Sequence, residues 1–525
     1  MVKKIIWSSF LLLSFVLGYS QSTVGVSVIP RPSSVKGRPG TFVFSKKTTL
    51  FSNVIVANEL KLFQQDLQEK IGIKVAMASA KESSITLKTD PKKEDALGKE
   101  GYLINVKKNK IEIAAATPTG IFYGIQTLKQ LIKKSDIGNF TIPCVSIQDK
   151  PRFAWRAFML DEARYFKGMV TVKTLLNEMA VLKMNVFHWH LTDDQGWRIE
   201  IKKYPLLTTI GSKRDSSEIG GWGSKKFDGV KHEGYYTQQQ IKEIIAYAAE
   251  RHITIVPEIE IPGHASASIA SYPWLGSTNV PVKVPTAFGV QKNVYNVADP
   301  KTMQFIEDVL TEVIDLFPSK VIHIGGDEVK YDQWKSSEQV QEFMKSKGIN
   351  SPADLQIWTT NKISNFLEKK GRRMMGWNEI MGAKLHEYNE ENDISVKEKL
   401  APNTLVHFWK GDLNLINDAL YKGYNIVNSF HESTYLDYDL KKLPLDKAYS
   451  FDPIPQGLDK KQESKIVGLG CQMWGEWIPT VASMNEMVYP RIAAYAEVGW
   501  TEVANKNYDS FVKALPFFYA RWAKK

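Results

Sequence analysis

The sequence predicts a (β/α)8 barrel preceded by a small α+β domain, and three observations predict it. The chain has 525 residues, too many for one ordinary domain. From Arg156 onward, short apolar segments alternate with amphipathic helical stretches in eight steps, which favours a closed parallel barrel over an open doubly wound sheet. The unusual polar residues fall just past the apolar segments, at the strand ends where such barrels carry their sites.

Residues 1–21 read as an export signal. Lys3 and Lys4 precede an apolar run from Ile5 to Gly18, and a polar stretch follows near Gln21 and Ser22. That run is too short to cross a bilayer, and no cysteine near it offers a lipid anchor. The expectation is an exported protein, periplasmic or extracellular, and not an integral membrane protein. Residues 22–149 read as the α+β domain. Its strand signals are Thr41–Phe44, Ser84–Leu87, Tyr102–Lys107 and Lys110–Ala114, and its helices Val56–Glu69 and Thr119–Leu131. Nothing in this segment carries chemistry, so its expected role is accessory.

Residues 150–525 read as the barrel with a C-terminal helix. The candidate strands are Ala157–Leu160, Asn185–Leu191, Thr254–Glu260, Val321–Gly325, Arg373–Gly376, Leu405–Phe408, Asn425–Asn428 and Gly468–Met473. Helices between them include Val170–Leu182, Thr237–Arg251, Lys301–Phe317 and Asp354–Lys370, and Tyr508–Trp522 closes or covers the barrel. Two long polar, Gly-containing loops, Gly211–Gly234 and Gly382–Leu400, are placed to wall a site.

Composition narrows the function. The formal charge is +11, but the lysines are dispersed and form no basic cluster interleaved with aromatics, which argues against nucleic acid. Cys144 and Cys471 lie in different predicted domains and are not expected to pair, and no cysteine metal motif exists. The chain has 14 Trp, a residue that stacks on sugar faces but is equally common in cores.

Two segments carry the chemistry. In His323-Ile324-Gly325-Gly326-Asp327-Glu328 an apolar strand runs into two glycines and then two adjacent acids. Neighbouring carboxyls resist ionising together, so one pKa should rise, as a general acid at neutral pH requires. The competing reading is a helix N-terminus bearing acids that suit its dipole. In His188-Trp189-His190-Leu191-Thr192-Asp193-Asp194-Gln195-Gly196-Trp197-Arg198 the histidines and acids invite a metal, but a hydrogen-bond network beneath a sugar fits the surrounding aromatics better. No metal and no cofactor are expected.

These runs, with Leu160-Asp161-Glu162-Ala163-Arg164-Tyr165-Phe166 and Pro262-Gly263-His264 in the same order, resemble the motifs of family 20 glycoside hydrolases, the β-N-acetylhexosaminidases. Trp377, Tyr435-Leu436-Asp437 and Trp474-Gly475-Glu476 extend the resemblance, which covers the chain from about residue 25 onward. It implies that Glu328 is the general acid/base and that Asp327 orients the substrate acetamido group, whose oxygen attacks the anomeric carbon. It implies that Tyr435 bonds the acetamido oxygen and that Arg164 grips hydroxyls 3 and 4. Glu476 or Asp437 would hold hydroxyls 4 and 6. Trp377, Trp474 and Trp358 would wall the sugar, with Asp193 and His264 setting the protonation of Glu328. The activity implied is exo-hydrolysis of terminal β-linked GlcNAc or GalNAc from glycans or chitooligosaccharides. The alternatives are a disaccharide-releasing enzyme of the lacto-N-biosidase type and a sugar-binding protein that has lost catalysis. The residues themselves assign no role to Trp409, for which packing is the better reading.

Overall fold

The computed structural model describes residues 26–382, 385 and 399–523. The export-signal run and most of Gly382–Leu400 lie outside the described residues. No helix among the described residues is long and apolar enough to cross a membrane.

The first part is an eight-stranded sheet backed by the helices Ala57–Ile71 and Pro118–Leu131. Pro118–Leu131 starts where it does because Thr117 is extended and its hydroxyl accepts the Gly120 N–H, with Pro118 in the first turn. Every residue from Gly120 to Leu131 is buried, between the sheet on one side and neighbouring helices on the others. The sequence reading passes over the ten-residue strand Phe140–Asp149, which pairs with both Ser34–Val43 and Tyr102–Lys107. The obscuring residue is Pro143, which cannot donate to a ladder. It sits where the pairing with Ser34–Val43 jumps from Gly37–Val145 to Thr41–Pro143, so the irregularity accommodates it.

Eight parallel strands then close a barrel: Trp155–Asp161, Val186–His190, Thr254–Glu258, Val321–His323, Arg373–Trp377, Leu405–Phe408, Asn425–Asn428 and Ile466–Met473. They are called here the first to eighth barrel strands. Their inward apolar side chains fill the lumen; Ala157, Val186 and Val256 form one cluster and Met375, Leu405 and Val427 another. The fourth strand stops at His323, short of the expected Gly325, because Gly325 and Gly326 adopt φ of +65° and +91°.

A buried charge cluster joins the two parts. Asp149 accepts hydrogen bonds from Tyr102 and from Trp500 Nε1 (3.0 Å), and its Oδ2 lies 3.2 Å from Lys183 Nζ. The barrel is closed by pairing of its eighth and first strands, and the C-terminal helix Tyr508–Trp522 packs outside it, with Lys70 Nζ 4.4 Å from the Phe517 ring centroid. Arg521 and Trp522 bind Glu178 of the first barrel helix at 2.7 and 3.0 Å. The last barrel helix, Arg491–Trp500, is buried along its whole length, so it shows no amphipathic period for a sequence reading to find. Cys144 and Cys471 are buried and unpaired.

Candidate active site

The site is assembled at the C-terminal ends of the barrel strands. Asp161 ends the first. Its Oδ1 accepts the Arg164 backbone N–H (3.0 Å), and its Oδ2 accepts Arg164 Nη1 (3.1 Å) and the Gly475 N–H (2.9 Å). One carboxylate therefore ties the loops after strands one and eight. Arg164 Nε donates to Gln195 Oε1 at 3.0 Å, and Nη2 lies 2.9 Å from Asp193 Oδ2 and 3.7 Å from Glu476 Oε1. Its guanidinium carbon stands 5.3 Å from the Trp474 ring centroid. Burial opposes this charge, but Asp193, Glu476 and Asp161 more than offset it and hold the guanidinium protonated. The rigid fork of donors suits fixed recognition of polar groups.

Asp193 links that guanidinium to the carboxyl pair. Burial alone would raise its carboxyl, but Arg164, His264 and the bond from His190 hold it well below the usual carboxylate range. His264 Nδ1 lies 3.2 Å from both Asp193 Oδ1 and Asp194 Oδ2. Against its own burial, Asp193 pushes the imidazole well above its ordinary value, so it is held as a cation. Its other nitrogen, Nε2, stands 3.8 Å from Asp327 Oδ2 and 3.8 Å from Glu328 Oε2. Buried charge thus runs in one line from Arg164 through Asp193 and His264 to the two adjacent acids.

The acids differ in environment. Burial, then the charges of Glu379, Glu328 and Glu258, push the Asp327 carboxyl well above its ordinary value, with His264 opposing them. Asp327 Oδ1 is buried with no hydrogen-bond partner among the described residues. Glu328 is half-buried, and its φ of +51° turns it away from the path of the strand. The sequence reading expects one elevated carboxyl and links the elevation to the proton donor. Deep burial raises Asp327, the acid assigned to the acetamido group. The glycines before the pair are required: a Cβ on Gly325 would collide with the Glu260 carboxylate, and one on Gly326 would stand 2.8 Å from Ile380.

Beneath the pair lies Glu258, at the end of the third strand. Its oxygens stand 3.0 Å from His188 Nε2, 2.6 Å from His190 Nδ1 and 2.8 Å from His323 Nδ1, and one accepts the Trp377 indole N–H at 2.9 Å. Burial would raise this carboxyl, but His323, His190 and His188 hold it well below the ordinary range. His188, Glu258 and His323 place their ligand atoms within 4.8 Å of one another. Both Glu258 oxygens are engaged, Oε1 accepting the Trp377 indole N–H and Oε2 bonded to His190 Nδ1, so the arrangement reads as a hydrogen-bond network. His190 Nε2 continues it to Asp193 at 3.0 Å. The signal for Glu258 was an acid inside an otherwise apolar strand, which the sequence reading did not single out.

Aromatic rings wall the space above. Met159, Trp377, Tyr435 and Trp474 form one buried cluster, with Trp409 and Tyr438 packed on it. Tyr435 stands 5.9 Å from Trp474 and lies parallel to Trp409 at 6.1 Å and 7°. Trp409 Nε1 donates to Glu379 Oε2 at 2.9 Å. Burial raises Glu379 to about 7, with the Glu328 charge adding to it. Asp437 is pushed up to about 8 by burial and by Glu476, and its Oδ1 is buried without a partner among the described residues.

The structure therefore gathers Arg164, Asp193, His264, Asp327, Glu328, Trp377, Tyr435, Asp437, Trp474 and Glu476 around one space. It does not bring Trp358 there. That ring packs edge-on to Phe343 at 5.2 Å, with Lys362 Nζ 5.6 Å from its centroid. The helix Pro352–Lys369 buries Leu355, Thr359 and Ile363 inward and leaves Trp358 on its outer side. Trp409, read from sequence as a packing residue, is the indole that joins the aromatic wall instead.

A parallel eight-stranded barrel with a carboxyl pair, a buried guanidinium and aromatic walls at its strand ends defines the class. Within it, the chain belongs to glycosyl hydrolase family 20: the profile of that family's catalytic domain matches residues 153–503, and that of its domain 2 matches residues 25–150. A β-hexosaminidase of Vibrio furnissii is 35% identical over 79% of this chain and 67% of its own length. One of Porphyromonas gingivalis is 33% identical over 94% of this chain, which spans 62% of that relative's length. The crystal structure of a β-N-acetylhexosaminidase from Bacteroides fragilis superposes with a TM-score of 0.80 at 30% identity, covering 95% of this chain and 96% of that one.

Proposed function

We propose that this chain is an exo-acting β-N-acetylhexosaminidase that removes terminal β-linked GlcNAc or GalNAc from glycans, with the substrate's own acetamido oxygen as nucleophile. The observation that carries the reading is Asp327, a buried carboxyl with an unpartnered oxygen beside a second acid. A buried acceptor without a donor is costly, and an acetamido N–H is a donor of the right kind. Binding it favours the ionised form of Asp327, which then polarises the amide so that its oxygen attacks the anomeric carbon. The glycosidic bond breaks to the leaving oxygen, which takes the Glu328 proton. Glu328 then removes a proton from water as water opens the oxazolinium intermediate.

The other groups fit this scheme. Tyr435 donates to the acetamido oxygen. Trp377 and Trp474 wall the acetamido group and ring, and Trp409 backs Tyr435. Arg164 holds hydroxyls 3 and 4, while Asp437 and Glu476 hold hydroxyls 4 and 6. His264, kept cationic by Asp193, presents a positive charge to both acids. A binding-only role gives no reason for two acids to sit beside that cation.

An aryl β-N-acetylglucosaminide and the matching aryl β-glucoside test the reading. The glucoside lacks the internal nucleophile and should be cleaved at least about 10³-fold more slowly in kcat/KM, because a positioned intramolecular group carries a large effective molarity. Comparable rates on the two sugars would remove the acetamido group from the mechanism.

A further inference from the structure

The loop 211–234, between the second barrel strand and its helix, folds as two small ladders, Lys213–Arg214 with His232–Glu233 and Glu218–Ile219 with Lys226–Phe227. Its tip holds Trp222, which is 64% exposed although it packs at 5.3 Å and 86° on Trp477. Trp477 in turn packs at 5.2 Å on Phe288, and a Cβ on Gly289 would stand 3.4 Å from the Trp222 ring. Three loops therefore converge on one aromatic clasp. They are also bonded together: the Glu218 N–H donates to Thr286 O at 2.8 Å, and Glu218 Oε2 accepts the Phe288 N–H at 3.0 Å. Gln195 donates to Ala287 O at 3.1 Å while accepting from Arg164. Gly220, Gly221 and Gly223 hold φ of +86°, +98° and +71° around Trp222, a turn that side-chain-bearing residues rarely adopt.

The clasp adjoins the Arg164 and Glu476 side of the site. Trp477 directly follows Glu476, and Phe288 packs at 5.8 Å on Tyr165, the neighbour of Arg164. Under the proposed function, Arg164 and Glu476 hold the hydroxyls remote from the bond that breaks, whereas Glu328 marks the leaving-group side. A sugar attached to one of those remote hydroxyls would project toward the clasp, which adjoins Arg164 through Tyr165 and Phe288 and Glu476 through Trp477. We propose that Trp222, held edge-on against Trp477 beside Arg164 and Glu476, screens the pocket against terminal residues that themselves carry another sugar, and so confines cleavage to unsubstituted termini. The inference rests on the hexosaminidase reading and deepens it by naming what enforces exo action. Specificity of this kind works by building a clash against the wrong ligand.

The test compares wild type and Trp222→Ala on two probes: the aryl β-N-acetylglucosaminide, and the same glycoside carrying β-galactose on O3. Wild type should cleave the first and discriminate strongly against the second. Trp222→Ala should raise kcat/KM on the galactosylated probe at least about tenfold, with the disaccharide as product, while its rate on the plain probe stays within about threefold. The inference is overturned if the variant keeps the plain activity with no gain on the galactosylated probe. It is equally overturned if wild type cleaves both probes alike, or if the variant loses activity on both alike, since Trp222 would then support the pocket rather than screen it. A wild type inactive on the plain probe would instead sink the hexosaminidase reading, and this inference with it.

Discussion

Glu328→Gln should lower kcat/KM on an aryl β-N-acetylglucosaminide by about 10²–10⁴-fold, the range expected when a positioned general acid/base is removed. Glutamine keeps the shape of the side chain and cannot deliver the proton. The loss should depend on the leaving group. A nitrophenolate departs with little help, so its deficit should lie at the low end, whereas a second sugar is a poor leaving group and should show a larger one. That gradient separates loss of the acid from general damage, which would lower both substrates alike. The position supports the expectation: Glu328 is half-buried, turned out of the strand path by its left-handed backbone, and directly follows the buried Asp327.

Asp327→Asn should lower kcat by about 10²–10³-fold, the cost of removing one group that stabilises developing charge in a water-poor site. An amide of the same outline offers no anion to the acetamido N–H, so the effect should fall on kcat more than on KM. Stability should move the other way or not at all. Burial and the charges of Glu379, Glu328 and Glu258 push this carboxyl well above its ordinary value. The sign follows from linkage: an acid whose folded pKa is raised costs stability once pH exceeds its unfolded pKa. The variant removes that cost, so Tm near neutral pH should hold or rise while activity collapses. A joint fall in Tm and kcat would mean that Asp327 supports the fold instead. Thermal melts and initial rates on the same preparation decide between them.

The barrel was legible because its strands are short apolar runs and its outer helices are amphipathic, so both periods show in the sequence. Arg491–Trp500 was not, since a helix buried on every side has no polar face. Phe140–Asp149 was hidden by Pro143, whose place opposite a bulge only the partner strand reveals. The carboxyl pair was legible from Gly325-Gly326-Asp327-Glu328, where glycine and acid together break the apolar pattern. Glu258 was missed because a charge inside a strand takes its meaning from neighbours distant in the chain: His188, His190, His323 and Trp377. Trp358 and Trp409 exchanged places for a related reason. Both are tryptophans near strand ends or on the following helices, and only the facing of the helix Pro352–Lys369 places one outside while the stacking on Tyr435 places the other within.

The central claim is that the substrate supplies its own nucleophile, and fluorination of the acetamido methyl group tests it most directly. Each fluorine withdraws electrons from the carbonyl oxygen and weakens it as a nucleophile while the sugar, the leaving group and the enzyme stay the same. Across aryl glycosides bearing acetyl, fluoroacetyl, difluoroacetyl and trifluoroacetyl groups, the account predicts a steep monotonic fall in kcat/KM, reaching about 10³-fold or more at trifluoroacetyl, because the positioned oxygen supplies most of the rate. A flat series would contradict the account and assign the attack to an enzyme carboxylate or to water.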